Sequence, residues 1–300
     1  MYVVTGASGN SGRVVAERLL ARGQKVRAIG RSAERLQPLV AKGAEPCVCD
    51  LTDREALAAA FAGARGVYVM IPPNVTSKDY RAHQDRITDA VAAALEAAGV
   101  EHAVSLSSIG ADKKVGVGPV AGQHYLENRL NQIPGLSVVH LRAGYFMENT
   151  LAQIGIIKSM GVMAGALRAE LEVPMIATQD IGAAAAEALL RLEFTGPSTR
   201  ELLGHRDISM AEVAGIVGRA LGRPHLAYTR LPDDQVRDAL TEVGISTNVA
   251  NLILEMAAGQ NTGHMIALEK RSASNTTPTS YETFVKEVFV PQFKGRPAAA

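Results

Sequence analysis

The chain has little that would hold a metal, a nucleic acid or a membrane. Its seven histidines show neither an H-x-x-x-H pair nor a cluster, so a metal site has no support. Neither charge sign predominates. Lys plus Arg is 31 against 30 for Asp plus Glu, and a net charge of +1 leaves no electrostatic footprint for nucleic acid. An uncharged apolar run of about 18 residues is missing, so no membrane span is expected. The chain enters a strand at once, which argues against a signal peptide and for a cytoplasmic location. Only two cysteines occur, Cys47 and Cys49, two apart in a strand-like stretch. That spacing predicts two buried thiols on one face rather than a redox pair. Low-complexity linkers and internal repeats are also absent.

What is present suits an α/β fold. Three hundred residues at 47% hydrophobic content can fill a full core. Strand and helix patterns alternate through the first half. Strands are expected at 2–4, 25–29, 45–49, 66–71 (stopped by Pro72-Pro73), 102–107 and 136–141. Helices are expected at 33–41, from a capping box at Thr52-Asp53-Arg54-Glu55, at 79–98 and at 121–132. This alternation predicts a Rossmann-type, doubly wound parallel sheet. After Arg142 the rhythm changes. Residues 144–165 have no clean period, and helices are expected at 181–192, from a second capping box at Ser209 to 221, and at 232–243, 249–258 and 281–290. The division predicted is a dinucleotide-binding domain over 1–150 and a smaller, mainly helical lobe over 151–300 for substrate or a partner. One helix or strand of that lobe is expected to return to the main sheet, and the tail 297–300 is expected to fray.

The stretch Met1 to Gly12, MYVVTGASGNSG, is the strongest chemical signal. A strand leads into a glycine turn, and Val14, Val15, Leu19 and Leu20 then recur at helical spacing. Gly6 permits the tight turn, Gly9 lets a pyrophosphate approach the backbone, and Gly12 allows close helix packing. The helix N-terminus offers free N–H groups to phosphates. The expected phosphate-binding set is therefore Gly6, Ser8, Gly9, Asn10, Ser11 and Gly12. An acid about 20 residues on would hold a ribose 2′-hydroxyl, but the segment there is Ile29-Gly30-Arg31-Ser32. Arg31 can fork onto a 2′-phosphate, so NADP(H) is expected in preference to NAD(H). Asp50-Leu51, ending the third strand, is either an adenine grip or an ordinary turn.

TGASGNSG, Arg31, CDLTD (49–53) and GVEHAVSLSS (99–108) resemble the atypical short-chain dehydrogenases/reductases. GLSVVHLRAGYFMEN (135–149) and TQDIGAAAAEALL (178–190) narrow the resemblance to the NmrA-like branch. That branch implies the Rossmann fold and a nicotinamide cofactor, but not one substrate. Its members include NADPH-dependent quinone, azo-dye and triphenylmethane-dye reductases, isoflavone-type reductases, and nucleotide sensors without catalysis. The departure from pattern is the Tyr-x-x-x-Lys pair, in which Lys lowers the Tyr pKa. None of the seven tyrosines has Lys four residues on, and Tyr125-x-x-x-Arg129 comes nearest.

Alignment on Gly135 and Phe146 places His124 where isoflavone-type relatives carry their lysine. His124 is thus a candidate proton donor or ribose contact, or a plain surface histidine. Ser107 and Ser108 end the fifth strand and are expected to hydrogen-bond the nicotinamide side. Ile71, Pro72, Pro73, Tyr145 and Phe146 are expected to wall the same crevice. Met147, Met160 and Met163 lie beyond it, either as a thioether-rich wall for flat substrates or as plain core filler, and His140 reads as structural. The function expected is an NADPH-binding oxidoreductase passing hydride to a quinone-like or azo acceptor. A non-catalytic NADP(H) sensor is the alternative. The catalytic candidates are His124, Ser107, Ser108 and Tyr125. The partner expected is an aromatic or quinone-like small molecule, with a homodimer, or a protein partner for a sensor, as the remaining options.

Overall fold

The computed structural model describes residues 1–295, and the tail 297–300 expected to fray lies outside them. Seven strands form one all-parallel sheet: β1 (Tyr2–Val4), β2 (Val26–Gly30), β3 (Glu45–Val48), β4 (Gly66–Val69), β5 (His102–Ser108), β6 (Ser137–Ala143) and, after an excursion, Pro197–Leu202. With Pro197–Leu202 at one edge the order runs on through β6, β5, β4, β1 and β2 to β3. The winding therefore reverses between β1 and β4, and such a switch point opens a crevice outside the carboxyl ends of the strands. The fold is the Rossmann type that the alternating pattern predicts.

Alternation along the strands divides the core between two faces. Tyr2, Val4, Val104, Leu106 and Leu141 pack with α1 (Asn10–Ala21) and with helix Thr178–Arg191. Val3, Val67, Val69, Ala103 and Val138 pack on the other face, under α2 (Arg54–Phe61), α3 (Tyr80–Ala97) and α4 (Ala121–Asn131). A third cluster builds the C-terminal part, where helix Met210–Ala220 meets the helical turns from Tyr281 to Phe293. Two small sheets lie there. One orders Arg206–Ser209, Glu172–Ile176 and Tyr145–Phe146, and the other pairs Tyr228–Arg230 with Met163–Gly165. Strands of two to five residues leave too little alternation to be read locally. No helix among the described residues is long and apolar enough to cross a membrane.

Two local expectations are corrected. The helix after β3 is capped by Asp53, whose carboxylate accepts from the Ala56 N–H, not by Thr52. Thr52 is already committed, donating from N and Oγ1 to Asp50. The cysteines are only half-buried, because β3 is an edge strand. Both do pack against the same core cluster, and burial, then the neighbouring Cys47, pushes the Cys49 thiol up to about 12.

Candidate active site

The glycine turn has the geometry of a phosphate cradle. Gly6 sits at φ +59°, and its carbonyl accepts from the Gly9 N–H at 2.9 Å. A Cβ on Gly12 would overlap the Gly6 carbonyl oxygen and lie 2.8 Å from its carbon, so α1 approaches the turn as only glycine allows. Gly9 is the N-cap, and α1 starts with no side-chain cap. The neighbouring α2 and α3 are capped by Asp53 and Asp79. The first N–H groups of α1 are thus left for a ligand. Asn10 is exposed and Ser8 half-buried beside this end. The Ser11 side chain turns inward instead, its Oγ accepting from the Tyr68 hydroxyl at 3.0 Å, so only its backbone faces the cradle.

Arg31 follows β2 on the surface and forms no ion pair among the described residues. Its charge lies near Asp50 and His83. Thr52 hydrogen bonds, and then Arg31, hold the Asp50 carboxyl below its usual range. The Asp50 side chain is closed into a turn, and Leu51 is buried in the core under α2 and α3.

Outside the carboxyl ends of β4, β5 and β6 lies a cavity of about 620 Å³. Met70, beside Gly6, forms the wall nearest the glycine turn, with Ile71 and Pro73. Pro72 is half-buried next to them. Ser108, Tyr145, Phe146 and Asn149 line it further in. Burial pushes the Tyr145 phenol up to about 12, so it stays protonated at neutral pH. Of the two readings of the methionines, core filler holds for Met147 and Met163, and none of the three lines the cavity. Met147 and Met163 are core residues, and Met160 is 71% exposed on a helix end. Met70, Met256 and Met265 supply the thioethers. The last two come from helix Thr247–Asn261 and the loop after it, far along the chain from the glycine turn.

A two-rung polar ladder decides which way α4 faces. Ser105 pairs in register with His140, and Ser107 with Arg142, on the sheet face under α4. Glu127 accepts from Ser107 Oγ at 2.6 Å, and from Arg142 through Nε at 2.9 Å and Nη2 at 2.6 Å. One turn on, Asn131 Oδ1 accepts from His140 Nε2 at 2.8 Å, which leaves His140 Nδ1 to accept from Ser105 Oγ at 2.6 Å. The Ser107 hydroxyl is therefore spent on Glu127, although the residue edges the cavity. Ser108 Oγ donates only to the adjacent Ile109 carbonyl.

The same rotation turns His124 and Tyr125 off the cavity wall. His124 Nδ1 donates to the Ala111 carbonyl at 2.8 Å, and Nε2 accepts from Asn128 at 3.0 Å. Tyr125 reaches α3, donating to Asp89 at 2.9 Å under Arg81. The α4 residue on the cavity wall is Gln123, which motif reading missed. Its signal was the shared helical face of 120, 123, 127 and 130, with Val120, Glu127 and Leu130 buried and Gln123 half-buried.

His140 is held neutral: burial pulls its pKa from 6.5 down to about 4. The unfolded chain takes up that proton near 6.5 and the folded protein near 4, so stability should fall as pH drops through that window. Urea midpoints at about pH 7 and about pH 5 test this, and His140→Gln should remove much of the difference. An unchanged slope in the variant would mean other groups dominate.

A sequence model of the NmrA-like family matches residues 2–285. The chain belongs to the NmrA-like family. A reductase of Streptomyces griseus subsp. griseus, acting on (4-alkanoyl-5-oxo-2,5-dihydrofuran-3-yl)methyl phosphate, is 32% identical over 263 residues, 88% of each chain. An NAD(P)H azoreductase from Xenophilus azovorans is 29% identical over 260 residues, 86% of each. The NADPH complex of a quinone oxidoreductase from Escherichia coli shares the fold, with a TM-score of 0.76 and 23% identity. That match covers 100% of this chain and 96% of the other. This NmrA-like chain therefore has reductases among its relatives along nearly its whole length.

Proposed function

We propose that the protein is an NADPH-dependent reductase that delivers hydride to a flat, uncharged, electron-poor acceptor of quinone or azo type. The observation that carries this reading is the 620 Å³ cavity at the switch point, apolar for most of its wall and next to an uncapped glycine turn. The cofactor, when bound, supplies the hydride. Gly6, Gly9 and the N–H groups opening α1 fit its pyrophosphate, and Arg31 fits a 2′-phosphate. Ile71 and Pro73 would flank the nicotinamide side. The protein's own work is to position both reactants and limit water, so the missing Tyr-x-x-x-Lys pair is tolerable.

Cavity charge narrows the acceptor. No Lys or Arg lines it among the described residues, whereas Glu172 and Asp207 do, and Asp207 is paired with Arg271. A phosphorylated acceptor such as that of the Streptomyces relative would find no cation there. Both curated relatives are reductases, which disfavours the sensor reading. The test is NADPH oxidation against a panel of quinones, azo dyes and enones. Tight NADPH binding with no acceptor-dependent oxidation would overturn the proposal.

Two substitutions check the parts. Arg31→Ala should weaken NADPH roughly 10- to 150-fold, the worth of a charged hydrogen bond, and leave NADH nearly unchanged by calorimetry. Equal losses would show that Arg31 does not read the phosphate. His124→Gln should cost far less than the roughly 10²-fold of a lost general acid, because both ring nitrogens are spent on the protein. A hundredfold fall in turnover with a lost pH limb would restore His124 as proton donor.

A further inference from the structure

Tyr145 carries a phenol that the protein leaves unused. The side-chain polar atoms sealed from solvent without a partner are, among the described residues, those of Thr88, Gln123 and Thr277, and the Tyr145 hydroxyl is not one of them. That hydroxyl forms no hydrogen bond among the described residues, so it keeps contact with open space. The open space is the cavity, which Tyr145 lines while the rest of the residue packs on the C-terminal core cluster. Two further phenols lie nearby, Tyr228 and Tyr281, and neither bonds to it. Tyr281 donates to Thr150 Oγ1 at 2.9 Å instead.

Its place in the cavity separates it from the glycine turn. Successive residues of a strand point to opposite faces. Phe146 turns to the core cluster that holds Val4, Ala7 and Met70, on the side of the glycine turn. Tyr145 turns to the C-terminal cluster, with Leu171 and Val173, which line the same cavity. A free hydroxyl on that wall faces the space left for the acceptor. We propose that Tyr145 is a catalytic residue: its hydroxyl donates a hydrogen bond to the acceptor oxygen on which negative charge appears. The claim rests on the reductase reading above for the occupant.

On taking up hydride, a quinone gains two electrons and one proton and becomes a hydroquinone monoanion. Its oxyanion then takes a proton from water, and the hydroquinone leaves. Tyr145 does not supply that proton, because burial holds its phenol at about 12, above the usual phenol value of about 10. No lysine or arginine lines the cavity among the described residues to lower it. A donor fixed where charge develops stabilises the transition state more than the ground state.

The test is Tyr145→Phe, which removes the hydroxyl and keeps the ring. Single-turnover reduction of 2-methyl-1,4-naphthoquinone by the NADPH-loaded protein should slow about 10²-fold, the worth of one oxyanion donor, with NADPH affinity unchanged. 4-Nitrophenol, whose anion mimics the hydroquinone monoanion, gives a readout without turnover. Its absorbance is followed against pH in the NADP⁺-loaded protein. The bound dye should ionise about one to two pH units higher in Tyr145→Phe than in the wild type, the worth of a charged hydrogen bond. The melting temperature of the unliganded protein should not fall, since no bond within the protein is lost. Equal reduction rates, or equal ionisation of the bound dye, overturn the proposal. A fall in NADPH affinity would assign the hydroxyl to the cofactor, and a fall in melting temperature would assign it to the fold; either overturns the proposal as well. The reductase reading fails separately, by a wild type that oxidises no NADPH with any acceptor, and the dye then still reports on Tyr145.

Discussion

Gly9→Val is expected to abolish binding of NADPH and NADH alike while the protein stays folded. An added Cβ at Gly9 meets only the Gly6 carbonyl oxygen, at 3.2 Å, a contact the turn can relieve by a small shift. The branched side chain would then stand over the uncapped start of α1, in the space the cradle offers a pyrophosphate. Dissociation constants should rise beyond about 1 mM. Gly12→Val differs in kind, because its Cβ would overlap the Gly6 carbonyl and distort the turn itself. That variant should lose stability as well as ligand. Calorimetry with circular dichroism separates the two. A folded Gly9→Val protein that binds NADPH normally would refute the cradle.

Glu127→Ala is expected to be the most destabilising polar substitution between α4 and the sheet. Its carboxylate is 6% exposed, Arg142 is 12% exposed, and the pair is bidentate. Removing Glu127 strands a buried guanidinium and the Ser107 hydroxyl, and breaking such a pair costs about 3–5 kcal/mol. Replacing both partners, as in Glu127→Leu with Arg142→Met, should recover much of the loss, since two buried charges leave together. Urea unfolding measures it. A loss below about 1 kcal/mol for the single variant would mean that the network is solvated and does not lock α4.

Much of the Rossmann half was legible because its signals are local. A three-residue strand, a glycine turn at positive φ and an amphipathic helix follow one another within about twenty residues, and each constrains the next. The apolar runs of β4, β5 and β6 likewise read as buried parallel strands. The capping error at Thr52 arose because Asp50 takes its hydroxyl, and two adjacent candidates cannot be ranked from sequence. The cysteines were placed on the right face but too deep, since edge position is a property of strand order.

The sequence by itself determined the Rossmann half, the glycine turn and the place of Arg31 at the end of β2, because these depend on backbone freedom and period. Tertiary structure alone decided which side of α4 looks into the cavity. That choice follows from Ser105 and Ser107 pairing across β5 and β6 with His140 and Arg142, and from Asn131 and Glu127 meeting them. It turned His124 and Tyr125 away and brought Gln123 in. Tertiary structure also closed the cavity with Met256 and Met265, more than a hundred residues past α4. A helical pattern shows that one face is buried, but what that face meets depends on packing between segments distant in the chain.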